Sequence, residues 1–219
     1  MQFKGQGGTL MQPAHQGSGE LRRLLFVLLA TSCLSLGSAF SREPSSEGKV
    51  IAIEQYCSEM ERLTGTEPDF ILGVAGSSAN PSGEWRRYSS KDELHKAWQH
   101  SGDRSLGAYV WLRNGELVRT NFTLESESHD WVQYSGYCFR SGDLVKLNYE
   151  LRTTYNQMLV RRERFYDAKG HVLKSSEEFL DLQTERPKRP SEAFADEATT
   201  IYHHVSDLPF WALVRRPSQ

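Results

Sequence analysis

Long runs of like charge, long apolar runs, internal repeats and known catalytic motifs are all missing from this 219-residue chain. Each absence excludes something. Without HExxH, G-x-S-x-G, a Walker loop or a dinucleotide fingerprint, the common zinc-peptidase, esterase, nucleotidase and dehydrogenase signatures are excluded. With a formal charge of −2, and with the basic cluster Arg161, Arg162, Arg164 broken by Glu163, there is no electrostatic footprint for nucleic acid or an anionic membrane. No apolar run reaches the ~20 residues that a membrane-spanning helix needs. No period of 20–50 residues points to a solenoid or propeller. Cysteine is scarce as well, at three residues.

The most informative segment is the first one. Arg22-Arg23 directly precedes Leu24-Leu25-Phe26-Val27-Leu28-Leu29-Ala30, and a diluted apolar stretch runs on to Leu36. Gly37-Ser38-Ala39 then offers small side chains at the −3 and −1 positions of a cut after Ala39. A basic start, a short apolar stretch and a small-residue cleavage site predict a secretory signal peptide over residues 1–39. The run is too short and too rich in hydroxyls to favour a membrane anchor. Two variants remain open: Ala30-Thr31-Ser32-Cys33 resembles a bacterial lipobox, which would anchor the chain by lipid on Cys33, and Arg22-Arg23 resembles a twin-arginine signal. Removing the signal takes Lys4, Arg22, Arg23 and Glu20 from 26 basic and 28 acidic residues, leaving 23 and 27. The remainder is long enough for one domain with its own core.

Residues 40–48 read as a flexible lead-in, residues 49–186 as a single domain, and residues 187–219 as a C-terminal extension packing on it. Val50, Ile53, Tyr56, Cys57, Met60 and Leu63 recur at helical spacing, with Gly65 as a C-cap. Phe70 to Val74 is a short strand, and Ser90-Lys91-Asp92-Glu93 has the form of a capping box that starts a helix carrying Leu94, Ala97 and Trp98. From Gly107 onward the pattern turns to hairpins. Asn114-Gly115 is a strong two-residue turn signal that pairs Arg113 with Glu116 and Trp111 with Val118, with Tyr109 and Phe122 on that face. Ser141-Gly142 is the next turn; it sets Cys138 opposite Val145, Gly136 opposite Leu147, Tyr134 opposite Tyr149 and Val132 opposite Leu151. Asp167 to Gly170 closes a third hairpin that pairs Phe165 with Leu173, Arg161 with Glu177 and Leu159 with Phe179. The expected fold is α+β: a roughly six-stranded antiparallel meander sheet with the N-terminal helices packed on one face.

That register fixes the candidate residues. It places Cys57 on the helix stripe and Cys138 on the sheet's apolar face, where a disulfide becomes feasible, and export favours it. It also leaves Trp131, Gln133, Ser135 and Tyr137 on the outer face opposite Lys146, Asn148, Glu150 and Arg152. Exposed aromatics among hydrogen-bonding side chains suit sugar, peptide or protein recognition, which makes Trp131, Gln133, Tyr137, Lys146, Asn148, Glu150 and Arg152 the candidate binding residues. Asn121-Phe122-Thr123 matches a glycosylation acceptor on the same outer face. The histidines are scattered: His95 and His100 point different ways, His203 and His204 would face opposite sides of a strand, and neither finds a third ligand beside Asp207. Ser77 and Ser78 lack a nucleophile-elbow context.

The expectation is an extracytoplasmic protein, periplasmic or secreted, whose main reading is a non-catalytic module binding an unknown protein or small ligand. It has no catalytic residues, metal or cofactor, and no nucleic-acid partner; membrane contact comes only through an uncleaved signal or a lipid anchor. Two alternatives stand beside it. An apolar-ligand or lipid carrier needs a large apolar cavity between sheet and helices, and a hydrolase needs a cleft where His, Asp or Glu converge.

Overall fold

The computed structural model describes residues 45–74, 83–99, 105–190 and 200–215. The expected export signal, Cys33, Ser77, Ser78 and His100 lie outside the described residues. Helix α1 (Ser46–Thr64) begins inside the stretch read as a lead-in, because the Ser45 hydroxyl caps it by accepting from the Gly48 N–H at 3.2 Å. Gly65 ends it with φ 68° and donates its N–H to Glu61 O. Helix α2 (Lys91–Gln99) starts at the expected box, with Ser90 Oγ accepting from the Glu93 N–H and Glu93 Oε2 accepting from the Ser89 N–H.

Among the described residues, eight strands form one antiparallel sheet, where about six were expected. The meander comprises β3 (Ser105–Arg113), β4 (Glu116–Glu125), β5 (Trp131–Arg140), β6 (Asp143–Thr153), β7 (Met158–Tyr166) and β8 (Val172–Asp181). Beyond β3 the sheet is extended by β1 (Phe70–Val74) and β2 (Trp85–Tyr88), in the order β2-β1-β3-β4-β5-β6-β7-β8. The fold is thus mostly antiparallel sheet with a few helices, broadly α+β. Both helices lie on one face. α1 crosses the hairpin-turn end, and α2 sets Leu94 and Trp98 over Gly73 and Gly107, where a β-carbon on Gly107 would meet Trp98 Cζ2 at 2.6 Å.

The expected registers fail by one residue in all three hairpins, and for one reason. Both two-residue turns form as read, with positive φ at Asn114, Gly115, Ser141 and Gly142. One pair further in, however, each outgoing strand carries an extra residue: Val118, Val145 or Leu173. Trp111 therefore pairs with Arg119, not Val118, and Phe122 pairs with Ala108, on the face opposite Tyr109. Cys138 pairs with Lys146, Gly136 with Asn148, Tyr134 with Glu150 and Val132 with Arg152. Phe165 pairs with Lys174, Arg161 with Glu178 and Leu159 with Leu180. The bulges are stabilised by what they bury. Val145 packs with Ile53 of α1 and Phe165, and Leu173 packs against the same cluster. Burying one such side chain contributes about 1.5–3 kcal/mol, more than the ~1 kcal/mol of a lost ladder hydrogen bond.

The other face is covered by residues 200–215. Phe210 and Leu208 are buried there, and Phe210 sits edge-on to Trp85 with ring centroids 4.9 Å apart. Tyr202 stacks on Phe122 at 5.6 Å, and Tyr137 donates its hydroxyl hydrogen to Thr200 O. The segment is threaded to the β5–β6 turn by Leu144 N–H to His203 O and Val205 N–H to Gly142 O. It makes one isolated bridge, at His204, and ends in the short helix α3 (Trp211–Arg215).

Candidate binding cleft on the helix face

Side chains alternate across a strand, so the bulged register decides what each face carries. On the helix face it brings two rows together. One runs Tyr109, Asn121, Gly136, Asn148, Glu163, Ser176, each paired with the next across β3 to β8. The other runs Thr123, Tyr134, Glu150, Arg161, Glu178 across β4 to β8. These rows form the floor of an open cleft of about 800 Å³. Its wall is one side of α1, contributed by Glu54, Cys57, Ser58 and Glu61 at the i, i+3, i+4, i+7 spacing of a helical stripe. At ~4.8 Å between strands, the first row spans about 24 Å across six strands and the second about 19 Å across five.

The wall is held by three tethers. The Sγ atoms of Cys57 and Cys138 lie at bonding distance, 2.12 Å, with Cα atoms 6.0 Å apart. Lys146, whose side chain is 9% exposed, donates to Glu54 Oε2 of α1 at 2.6 Å and to Glu163 Oε1 of β7 at 2.8 Å. Burial alone would lower the Lys146 pKa, but its hydrogen bonds to Glu163 and Glu54 outweigh burial and hold it above the usual lysine value. Tyr56 adds a hydrogen bond to Phe139 O at 2.9 Å.

The floor is polar and mostly paired. Glu150 accepts from Arg152 Nε at 2.6 Å and from Arg161 Nε at 3.0 Å; burial pushes its carboxyl up, and these two partners more than reverse the push. Gly136 leaves a gap in the middle, since a β-carbon there would meet Asn121 Oδ1 at 3.1 Å and Asn148 Cβ at 3.8 Å. Two carboxamides thus flank a bare stretch of backbone. Tyr134, 43% exposed, stands in the adjoining row.

The bulge divides the seven candidate binding residues between the two faces. Lys146, Asn148 and Glu150 line the cleft, and Arg152 shares their face one row beyond it, bonded to Glu150. Trp131, Gln133 and Tyr137 belong to the opposite face, because they pair with Thr153, Leu151 and Leu147. Tyr137 is buried among Phe122, Phe139 and Tyr202, and Trp131 packs beside Tyr149, Leu151, Met158 and Val160. Sequence reasoning placed Tyr134 and Gly136 in the core, and it missed Tyr109, Arg119, Arg161 and Glu163. Asn121 and Thr123 do share a face, and that face is the cleft floor.

None of the described histidines lines the cleft. His129 pairs with Glu125, His171 with Asp167 and His204 with Asp143 Oδ1 at 2.7 Å, while Asp207 accepts from the His204 N–H. Among the described residues, no three His, Cys, Asp or Glu side chains gather as a metal site, and no helix is long and apolar enough to cross a membrane.

Fold and site together define a class: one bulged antiparallel sheet with an apolar face sealed by the C-terminal segment and a polar face left open beneath a tethered helix. Compared with known protein families, curated proteins and solved structures, the chain matches none.

Proposed function

We propose that this chain is an exported, non-catalytic binding module that holds an extended, hydroxyl-rich ligand, an oligosaccharide by its chemistry, along the helix face. The observation that carries this reading is the central row, in which Asn121 and Asn148 flank Gly136 on the floor of an open cleft. Carboxamides both donate and accept, which suits vicinal hydroxyls. Tyr109 and Tyr134 add aromatic surface with a polar tip, and rows of about 19 to 24 Å suit several sugar units over a single one. The polar lining favours such a ligand over an apolar or lipid cargo. Export is supported by the expected signal over residues 1–39 and by the paired cysteines.

The test is calorimetric titration of the chain lacking residues 1–39 with neutral hexasaccharides, followed by amide chemical-shift mapping. Binding is expected to shift Asn121 and Asn148, to weaken about tenfold in Asn148→Ala through loss of one paired carboxamide, and to be abolished in Gly136→Val. Shifts confined to the face covered by residues 200–215 would overturn the assignment.

A further inference from the structure

We propose that Arg119 is a carboxylate-binding subsite at one end of this cleft, and that Glu61 of α1 occupies it as an intramolecular stand-in which an acidic ligand displaces. The inference rests on the reading of the helix face as a polar-ligand cleft and adds the charge of that ligand. A second cavity of about 510 Å³ adjoins the first, and Glu61, Tyr109, Arg119 and Asn121 line both. Arg119 therefore sits at the junction, reachable from either side.

Its surroundings differ from those of the other cations on this face. Lys146 holds two carboxylates at 2.6 and 2.8 Å, and Arg161 holds Glu150 and Glu185 at 3.0 Å each. The Arg119 side chain is only 15% exposed, yet its one ion pair among the described residues, to Glu61 Oε1, is 3.5 Å long. At that length it is beyond a good charge-assisted hydrogen bond. Glu61 is itself 71% exposed, so water competes for it. Arg119 Nη1 is enclosed with no hydrogen-bond partner among the described residues, and so is Trp111 Nε1 in the same wall. Burial without a matched anion pulls the guanidinium below its usual pKa, and Glu61 opposes this only in part.

The geometry that holds Arg119 is nonetheless well defined. The guanidinium lies over the Trp111 indole at 4.1 Å, which fixes its plane and presents a fork instead of a mobile point charge. A planar carboxylate matches the Nε–Nη2 edge of that fork with two parallel hydrogen bonds, the edge whose Nη2 already meets Glu61 while Nη1 is enclosed. Lys91, over the Tyr109 ring at 5.8 Å and 3.8 Å from the exposed Glu67, lines the same second cavity and adds positive charge at its mouth. Joined to the floor described above, this points to an oligosaccharide bearing a uronic-acid type carboxylate.

The test compares two probes on the same sugar backbone, hexagalacturonate with its charged carboxylates and its fully methyl-esterified, neutral form, titrated into the chain lacking residues 1–39. The acid form is expected to bind about tenfold more tightly than the ester, as one bidentate charge-assisted contact provides. Arg119→Lys should bring the ratio of acid to ester affinity down to about one. Glu61→Gln, at an exposed position that leaves the fold intact, should raise affinity for the acid, relative to the ester, about threefold or more. Equal affinity for both probes, a preference that survives Arg119→Lys, or a ratio of acid to ester affinity unmoved by Glu61→Gln would each overturn the subsite. In those cases ester binding preserves the cleft itself, whereas binding of neither probe removes both.

Discussion

The two faces of the sheet are built from alternate residues of the same strands, yet they have opposite characters. Phe122, Tyr137 and Leu147 go one way, into the aromatic cluster beneath residues 200–215; their neighbours Asn121, Gly136 and Asn148 go the other way, into the cleft. The difference shows a division of labour. The covered face supplies most of the apolar burial. The helix face is relieved of that task because α1 is fastened at one end of the strands by a covalent bond, an ion triad and a small apolar cluster. A helix held at the rim leaves the middle of the floor free to remain polar.

The contrast can be broken most forcefully from the covered face. Phe210→Ala removes a ring that touches Trp85 and Phe122, and a loss of about 3–5 kcal/mol is expected in denaturant unfolding. A loss under ~1 kcal/mol would show that the aromatic cluster is not the main source of stability. On the helix face, Cys57→Ser with Cys138→Ser should cost about 2–4 kcal/mol. Intact mass before and after reduction should differ by two protons in the parent chain and by none in the double variant.

A smaller effect sharpens the comparison. Lys146→Ala leaves Glu54 and Glu163 facing each other without their cation, for an expected loss of about 1–2 kcal/mol after allowance for partial exposure. Lys146→Met keeps the volume and should cost less when combined with Glu163→Gln, because the less exposed carboxylate is then neutral and Glu54, 49% exposed, is left to water. The smallest effect is local. Hydrogen bonds from the Thr184 backbone and side chain, and from Lys188, hold the Asp181 carboxyl down to about 2. A depressed folded-state pKa contributes stability above the ordinary aspartate value and loses it as pH falls. Protection of the amides at residues 181–188, taken against the intrinsic exchange rate at each pH, should therefore fall as pH drops from about 4 toward 2, and Asp181→Asn should show that lower protection already at neutral pH.

Much of this fold was legible in the chain. Asn114-Gly115 marked its turn, Ser90 to Glu93 marked the start of α2, and the spacing of Val50, Ile53 and Cys57 marked α1, because each of these signals is local. The side of the sheet that a residue faces is not local. It depends on whether Val118, Val145 and Leu173 are counted in the ladder or bulged out of it, and that balance includes Ile53 and Phe165, which are remote in sequence from Val145. Hence Lys146, Asn148 and Glu150 were assigned to the side away from the helices and lie beneath α1 instead, whereas Cys138 and Tyr137 kept their sides, and Tyr137 is buried because residues 200–215 cover its face. Strand β2 escaped notice because its four residues hold a single buried apolar side chain, Trp85. The cleft was half visible: Lys146, Asn148 and Glu150 alternate cleanly with Leu147, Tyr149 and Leu151, while Arg119 gave no sign before Trp111 came beneath it.

The Cys57–Cys138 bond also has a topological consequence. Its partners are 81 positions apart, so it closes a loop that contains the end of α1, all of β1 to β4, and most of β5. A protease that cuts the backbone once anywhere inside that loop produces two fragments that stay joined, with the floor of the cleft still strung between them. Only a cut outside the loop, or reduction, separates material from the molecule. In a compartment rich in proteases, the chain would then be able to carry a nick without losing its parts.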